Sequence, residues 1–361
     1  MKAVRIHDYG LDKLVYEEAP TPEIKENQIL VKVHAASINH LEIMQAGGTM
    51  KDKMPLKFPW TPGFDFAGYV HSAAEGANGL KKGDKVYGNC NGGSYAEYLA
   101  VDLDKVALMP DNLSFVEASS IPHVAETAWQ AVHTHGNVTS GMKVLIQGGA
   151  GAVGAYAVQF AHQAGAFVYA TAGTSDIEFV KSMKADVAID FQTEDFTQIA
   201  KDVDLVLDFV GGKTQDKSYK VLKQGGRLVT TVALNSEDEA KEHCVIATAM
   251  RIQQSGKDLE IITRLINEGK ITTDVASVYP LAQAQEAWDN FLGTDITINS
   301  KPHGKIVLEI CDSPNAESNY GKDSGYIRQP EELTGEDENI MRRDNIPITD
   351  QPLRSEWEQG R

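Results

Sequence analysis

Met142-Lys143-Val144-Leu145-Ile146-Gln147-Gly148-Gly149-Ala150-Gly151-Ala152-Val153-Gly154-Ala155-Tyr156-Ala157-Val158-Gln159-Phe160-Ala161 passes from an apolar run through a glycine turn into a second apolar run. Residues 142–146 read as a buried strand and 155–161 as a helix. Between them Gly149, Gly151 and Gly154 fit G-x-G-x-x-G in a strand–turn–helix setting. The three glycines serve different ends: Gly149 permits a tight turn, Gly151 the close approach of a pyrophosphate, and Gly154 the packing of helix on strand. The backbone around Ala150, Ala152 and Val153 then offers free N–H groups and the positive end of a helix to the phosphates. The bland reading of the same residues is a glycine turn that only packs a βα unit.

Outward from this turn, strand candidates at 167–171, 187–190, 205–209 and 227–231 alternate with helical stretches such as 177–184 and 214–222. That alternation predicts a parallel sheet with helices on both faces. The strand at 205–209 runs into Val210-Gly211-Gly212, at the edge where such sheets bind ligands. Before residue 120 the pattern differs. Short candidates at 29–34, 66–70, 86–88 and 95–101 are broken by Gly, Pro and Asp, which predicts a compact barrel-like β unit. An amphipathic helix is expected at 259–267, and the extended run at 305–310 reads as a return to the first unit. The expected division is 1–120, 121–272, 273–311 and an acidic flexible tail at 312–361. Apolar periodicity is lost in that tail, so it cannot bury enough surface to offset the entropy of ordering.

The chain has 361 residues and a formal net charge of −17. Twelve acidic and six basic residues in 312–361 account for −6 of it. The balance argues against nucleic acid and anionic membranes as partners, since both need basic surface. No stretch approaches the ~18 apolar residues of a membrane span. The first residues lack the apolar run of a secretory leader. Cys90, Cys244 and Cys311 are far apart, which argues against a disulfide framework and for a reducing cytoplasm.

Further motifs keep a consistent order: Ala35-Ala36-Ser37-Ile38-Asn39-His40; Phe58-Pro59-Trp60-Thr61-Pro62-Gly63-Phe64-Asp65-Phe66-Ala67-Gly68; Gly83-Asp84-Lys85-Val86-Tyr87-Gly88; Gly93-Ser94-Tyr95-Ala96-Glu97-Tyr98; Thr127-Ala128-Trp129; Asp208-Phe209-Val210-Gly211-Gly212; and Gly304-Lys305-Ile306-Val307-Leu308. With the glycine turn, these make residues 1–310 resemble the medium-chain dehydrogenase/reductase superfamily, and within it the zinc-less quinone-oxidoreductase-like branch. The resemblance implies an α/β chain in which a GroES-like β-barrel domain is interrupted by a Rossmann domain with a doubly wound parallel sheet. It places the active site in the cleft between them, and it implies a homodimer.

Zinc-dependent relatives need a thiolate, an imidazole and a further ligand. The matching places here hold Asn39-His40, Phe64-Asp65 and Val124-Ala125-Glu126, and no four-cysteine lobe lies near Cys90. His40, Asp65, His123 and Glu126 do not make a recognisable ligand set, so no metal is expected. Without a Lewis acid, the accessible chemistry is delivery of a hydride to an already electron-poor carbon, with the protein supplying proximity, orientation and a polar clamp. The expected function is reduction of a small electrophilic acceptor, a quinone or an α,β-unsaturated carbonyl, by NADPH. Alternatives are a 2-enoyl-thioester reductase, a non-catalytic NAD(P)H-binding sensor or scaffold and, least favoured, a zinc alcohol dehydrogenase.

The resemblance places Asn39 beside the nicotinamide and the substrate carbonyl, where its amide can donate to developing negative charge. It places Thr127, Val210, Gly211 and Lys305 at the cofactor. A tyrosine that some quinone reductases carry shortly after the asparagine is absent; Met44 and Gln45 stand there. His123 and Glu126, spaced i, i+3, are candidates for a proton relay; water or a ribose hydroxyl is the alternative. Tyr169-Ala170-Thr171-Ala172-Gly173-Thr174-Ser175 lacks the acid that bonds a ribose diol in NAD sites. That favours NADP(H), with Gly173, Thr174 and Ser175 at the 2′-phosphate. Asp176 follows directly and leaves NAD(H) open.

Overall fold

Six parallel strands carry the glycine turn: β8 (Lys143–Gln147), β9 (Phe167–Ala172), β10 (Val187–Asp190), β11 (Val203–Asp208), β12 (Leu222–Thr230) and β13 (Ile246–Ala249). A computed structural model describes residues 1–74, 79–293 and 303–310. Cys311 and the expected tail at 312–361 lie outside the described residues. Strand order is β10-β9-β8-β11-β12-β13, and every pairing is parallel. The chain leaves β8 in one direction and resumes at β11 in the other, so a crevice opens between the carboxyl ends of these two strands. Val144, Leu145, Ile146, Leu205, Val206 and Leu207 are fully buried. Helices cover both faces of central parallel strands, which therefore read as unbroken apolar runs.

The remaining strands are β1 (Lys2–Arg5), β2 (Val15–Glu18), β3 (Gln28–Ser37), β4 (Asp65–Ala73), β5 (Lys85–Asn89), β6 (Tyr98–Asp102), β7 (Val106–Leu108), β14 (Val275–Pro280) and β15 (Lys305–Glu309). A second sheet has the order β14-β15-β3-β4-β5-β7, with β6 also on β3, and β1 and β2 form a separate ribbon. The returning chain seats β15 antiparallel on β3, pairing Val307 with Ser37 and Glu309 with Ala35. The helices are α1 (His40–Ala46), α2 (Phe115–Ser119), α3 (Pro122–Trp129), α4 (Ala152–Gln163), α5 (Ile177–Ser182), α6 (Phe196–Ile199), α7 (Gly212–Ser218), α8 (Glu237–Glu242), α9 (Gly256–Asn267) and α10 (Ala284–Gly293). Tyr87 of β5 donates to Leu259 O of α9 at 3.1 Å, fastening the two sheets to each other.

Several sequence expectations shift at their ends. The strand expected at 95–101 begins only at Tyr98, because Tyr95 and Ala96 pair with the N-terminal strand instead: Val4 N–H donates to Tyr95 O at 2.8 Å. The strand expected at 205–209 stops at Asp208, whose carboxylate captures the following amides. The helix expected at 214–222 starts at Gly212 and ends at Ser218.

The glycine turn is packed from one side only. A Cβ on Gly154 would lie 2.0 Å from Gly148 O, and one on Gly149 would lie 2.8 Å from Ala170 Cβ. On Gly151 it would meet only Gly148 O, at 3.3 Å. Gly154→Ala is therefore expected to destabilise the fold by about 3 kcal/mol, the range of overpacked core positions. Gly151→Ala should cost under about 1 kcal/mol, since exposed substitutions free of such clashes cost little; urea unfolding of the two variants checks both.

Under α1 the barrel core holds a carboxyl. Glu42 is fully buried; its Oε1 accepts the Asn39 N–H at 3.1 Å and the Tyr95 hydroxyl, while its Oε2 has no partner among the described residues. Trp288 Nε1 donates to the Tyr95 hydroxyl at 3.3 Å. An unpartnered buried oxygen is tolerable only on a neutral carboxyl. Burial accordingly pushes the Glu42 pKa up to about 8 from an ordinary 4.5. Between those values the folded chain holds a proton that the unfolded chain has lost, so this group's contribution to stability falls as pH rises through the window. Glu42→Gln keeps the Oε1 acceptor and removes the titration. Its urea-unfolding free energy should decline less than the wild type's between pH 5 and 8; an equal decline would disprove the assignment.

Candidate functional site

The crevice between β8 and β11 is built to hold an anion. Gly149 N–H donates to Thr171 O at 2.8 Å and Gly148 N–H to the Thr171 hydroxyl at 3.1 Å, so β9 fixes the turn. The Thr171 hydroxyl donates in turn to Gln147 Oε1 at 2.8 Å. Gly151 is the residue before the first turn of α4, and the first amides of that helix, at Ala152, Val153 and Gly154, have no intrahelical partner. Gly151 is exposed beside those donors, and a Cβ there would meet only Gly148 O, which suits the approach of a pyrophosphate. Across the crevice, Asp208 is fully buried. Its Oδ1 accepts the N–H groups of Val210 at 3.0 Å and Gly211 at 2.8 Å; its Oδ2 accepts from Gln215 and Thr230. The loop after β11 is thereby held open with Val210 47% exposed beside the turn.

The adenosine end differs in detail from the sequence expectation. Gly173 follows β9, and Phe191 stands 60% exposed after β10. The Thr174 hydroxyl lies 2.6 Å from Asp190 Oδ2 and 2.7 Å from Gln192 Oε1. The Ser175 hydroxyl donates to Asp176 Oδ1 at 2.9 Å. Both hydroxyls expected to meet a phosphate rest on carboxylates. His303 stacks on Phe179, with ring centroids 3.6 Å apart, and its Nε2 lies 3.9 Å from Asp176.

Asn39 sits in a buried polar knot between β3, α1, α3 and β15. Its Nδ2 donates to Asp65 Oδ2 at 3.0 Å, and its Oδ1 accepts from the Lys305 ammonium. That ammonium lies 3.5 Å from Asp65 Oδ2, which also accepts the Ser37 hydroxyl at 2.8 Å. Asp65 Oδ1 accepts the His123 N–H at 2.8 Å, at the start of α3. The Asn39 amide is thus engaged at both ends, its oxygen by Lys305 and its nitrogen by Asp65. The Thr127 hydroxyl bonds back to His123 O at 2.6 Å within its own helix.

His123 and Glu126 do not bond each other; Asn89 stands between them. Asn89 Nδ2 lies 3.1 Å from His123 Nδ1 and 3.2 Å from Glu126 Oε2. Glu126 is fully buried, and its Oε1 accepts Ser255 N–H at 2.7 Å. Burial pushes its pKa up to about 8 and pushes that of His123 down to about 4. A relay from Glu126 directly to a ligand is not built here, because both its oxygens face protein donors. Sequence reading missed Asn89 and Gln254, whose amide supports Asn89. Neither belongs to a motif with a chemical signature. Among the described residues, no group of three His, Cys, Asp or Glu side chains is placed to hold a metal ion.

Comparison with known proteins places this geometry. Residues 25–111 match the alcohol dehydrogenase GroES-like domain, and residues 183–308 match a family model described as zinc-binding dehydrogenase. The chain is 41% identical over 243 residues to 2-methylene-furan-3-one reductase of Solanum lycopersicum, covering 63% of this chain and 61% of that one. It is 34% identical to the chloroplastic NADPH-dependent alkenal/one oxidoreductase of Arabidopsis thaliana, covering 85% of this chain and 79% of the relative. Among solved structures, the quinone oxidoreductase from Coxiella burnetii superposes with a TM-score of 0.76 at 31% identity, covering 86% of this chain and 99% of that one. The architecture is a GroES-like domain joined to a parallel-sheet Rossmann domain. With that fold, that order of motifs and those relatives, the chain belongs to the medium-chain dehydrogenase/reductase superfamily, in its quinone-oxidoreductase-like branch.

Proposed function

We propose that this protein is an NADPH-dependent reductase of quinones or α,β-unsaturated carbonyls that works without a metal. The carrying observation is the glycine turn that leads into the N-terminus of α4 at Gly151, in a chain that also buries the polar Asn39–Asp65–Lys305 knot. The residues fit NAD(P)H. Amides of Ala150, Ala152, Val153 and Gly154 would receive the pyrophosphate, Gly173 to Ser175 the adenosine ribose, and Val210, Gly211 and Thr127 the nicotinamide side. When bound, the nicotinamide supplies the two-electron reducing equivalent. Residue types at 39–40, 64–65 and 124–126 offer no thiolate–imidazole set, so the acceptor must carry its own electron-poor carbon. Relatives named for a methylene-furanone, alkenals and quinones support that acceptor class.

The chain's own residues bind, orient and exclude water. Asp65 and Lys305 lock the Asn39 amide, so that wall of the pocket costs no reorganisation during turnover. We assign 1–120 and 273–311 to the GroES-like unit and 121–272 to the Rossmann unit. Cys90 and Cys244 are free thiols, which suits a reducing cytoplasm. No described helix is long and apolar enough to cross a membrane. We also propose a homodimer: β13 is the open edge of the six-stranded sheet, with Ile246 53% exposed on it.

NADPH is proposed because no acid ends β9. Asp176, beside Ser175, limits that preference. Asp176→Asn should raise the NADPH-over-NADH affinity ratio roughly fivefold, the scale of one exposed charge at ~4 Å, read by nicotinamide fluorescence titration. Gly151→Ala should weaken NADPH binding by about tenfold or more while leaving the unfolding midpoint nearly unchanged. Acceptor-dependent NADPH oxidation with a panel of small enones and quinones tests the activity itself. Tight binding with no turnover would instead favour a sensor or scaffold, and failure to bind either nucleotide would remove both readings.

A further inference from the structure

We infer that His123 is a neutral hydrogen-bond donor to the acceptor's carbonyl oxygen through Nε2–H, with its tautomer set by Asn89 and Asn89 set by Gln254. This rests on the reductase reading above and deepens it. The assignment starts from an atom that can only accept. Gln254 Nε2 lies 2.9 Å from the backbone oxygen of Cys90, so that end of the Gln254 side chain is the amide nitrogen. The same nitrogen reaches Asn91 Oδ1 at 2.9 Å and Asn89 Oδ1 at 3.1 Å. Asn89 must then present its oxygen to Gln254 and its nitrogen to the other side. There its two N–H groups meet two acceptors, Glu126 Oε2 and His123 Nδ1. Glu126 is itself oriented by Ser255 N–H on its other oxygen. A lone pair at His123 Nδ1 places the proton of the neutral ring on Nε2.

Among the described residues Nε2 has no hydrogen-bond partner, and it is not one of the buried unpartnered atoms, so it reaches solvent. The ring lies over Phe64, with centroids 6.1 Å apart, where β4, β5 and α3 meet. Its backbone is pinned to Asp65, the residue that holds Asn39. With one Asn39 N–H held by Asp65 at 3.0 Å and the other 3.5 Å from Ser37 O, a further donor is called for to meet the charge that develops on the acceptor oxygen. His123 offers one that is oriented before the acceptor arrives, which is the arrangement that stabilises developing charge most. The charged groups facing it are Asp65 of β4 and Lys305 of β15, and the titratable carboxyl of Glu126 lies on its own helix. Desolvation opposes the charged ring most strongly; Asp65 favours it, Lys305 opposes it, and the opposition prevails. The ring therefore stays neutral through the neutral pH range, and it acts as a donor rather than as a titrating acid.

The test joins a spectrum to kinetics. Nitrogen-15 spectra of histidine-labelled wild type, with His123 assigned through His123→Gln, should show the Nε2–H tautomer with no titration between about pH 5.5 and 8.5. His123→Phe should lower kcat toward a small enone about 100-fold at unchanged NADPH affinity, the scale of a lost oxyanion donor. His123→Gln, which returns an N–H at similar reach, should recover most of that loss. Gln254→Leu should mix the tautomers and lower kcat without moving NADPH affinity, which a merely structural role would not do. An Nδ1–H or charged ring at pH 7, or wild-type kcat in His123→Phe, would overturn the inference while the reductase stands. A wild type that binds NADPH and reduces no acceptor would remove the reductase reading and the donor role with it, whatever the tautomer.

Discussion

One desolvated carboxylate organises the cleft. Asp65 is fully buried and receives a hydroxyl from Ser37, an amide from Asn39, a backbone N–H from His123 and the nearby Lys305 ammonium. A buried ion is tolerable only when its lone pairs are filled and its charge is opposed. Those four groups come from β3, its junction with α1, the start of α3, and β15. Satisfying one charge therefore fixes the β3–α1 junction, the start of α3 and β15, three places distant in the chain, relative to one another. It also explains why the chain must return to the first sheet after the Rossmann unit. Lys305 arrives on the returning strand, and without it Asp65 would be a buried charge with no cation.

The sequence revealed the Rossmann half more fully than the cleft, for a physical reason. Strands such as β8 and β11 bury both faces, so their apolar runs are contiguous and legible, and Gly154 is forced by a backbone oxygen one turn away. The polar knot is assembled from residues 37, 39, 65, 123 and 305, and no local pattern records such a contact. Asp65 was visible only as a poor zinc ligand; its actual work depends on a lysine 240 residues later. Lys305 was expected at the cofactor from its motif; its bond to Asn39, which the same reading places beside the nicotinamide, was not legible. Asn89 and Gln254 carried no signal, since uncharged amides are common on any surface. Their meaning lies in which atom faces which.

The adenosine end shows the same limit in a milder form. Absence of an acid at the end of β9 was legible and argues for a 2′-phosphate. The occupancy of Thr174 and Ser175 by Asp190 and Asp176 was not, because Asp190 reaches Thr174 from the neighbouring strand. Hydroxyls held by carboxylates must rotate away to meet a phosphate, and the carboxylates remain close by. Under the proposed NADPH preference, the carboxylates of Asp190 and Asp176 beside these hydroxyls weigh against a 2′-phosphate.

Two further buried carboxyls flank this arrangement. Glu42 lies beneath Asn39 with one oxygen unpartnered; Glu126 lies behind Asn89. Burial raises both pKa values to about 8. Were both ionised, Asp65 would share its low-dielectric surroundings with two more anions opposed by Lys305 alone. Burial thus works against further negative charge beside Asp65, with desolvation the leading cause in both groups. Such a site can hold amides and a ring nitrogen in fixed orientations without a field that would repel electron density growing on an acceptor. For the proposed reduction of an electron-poor carbon, that restraint on negative charge matters as much as any single donor, because its transition state would bring charge into the same space.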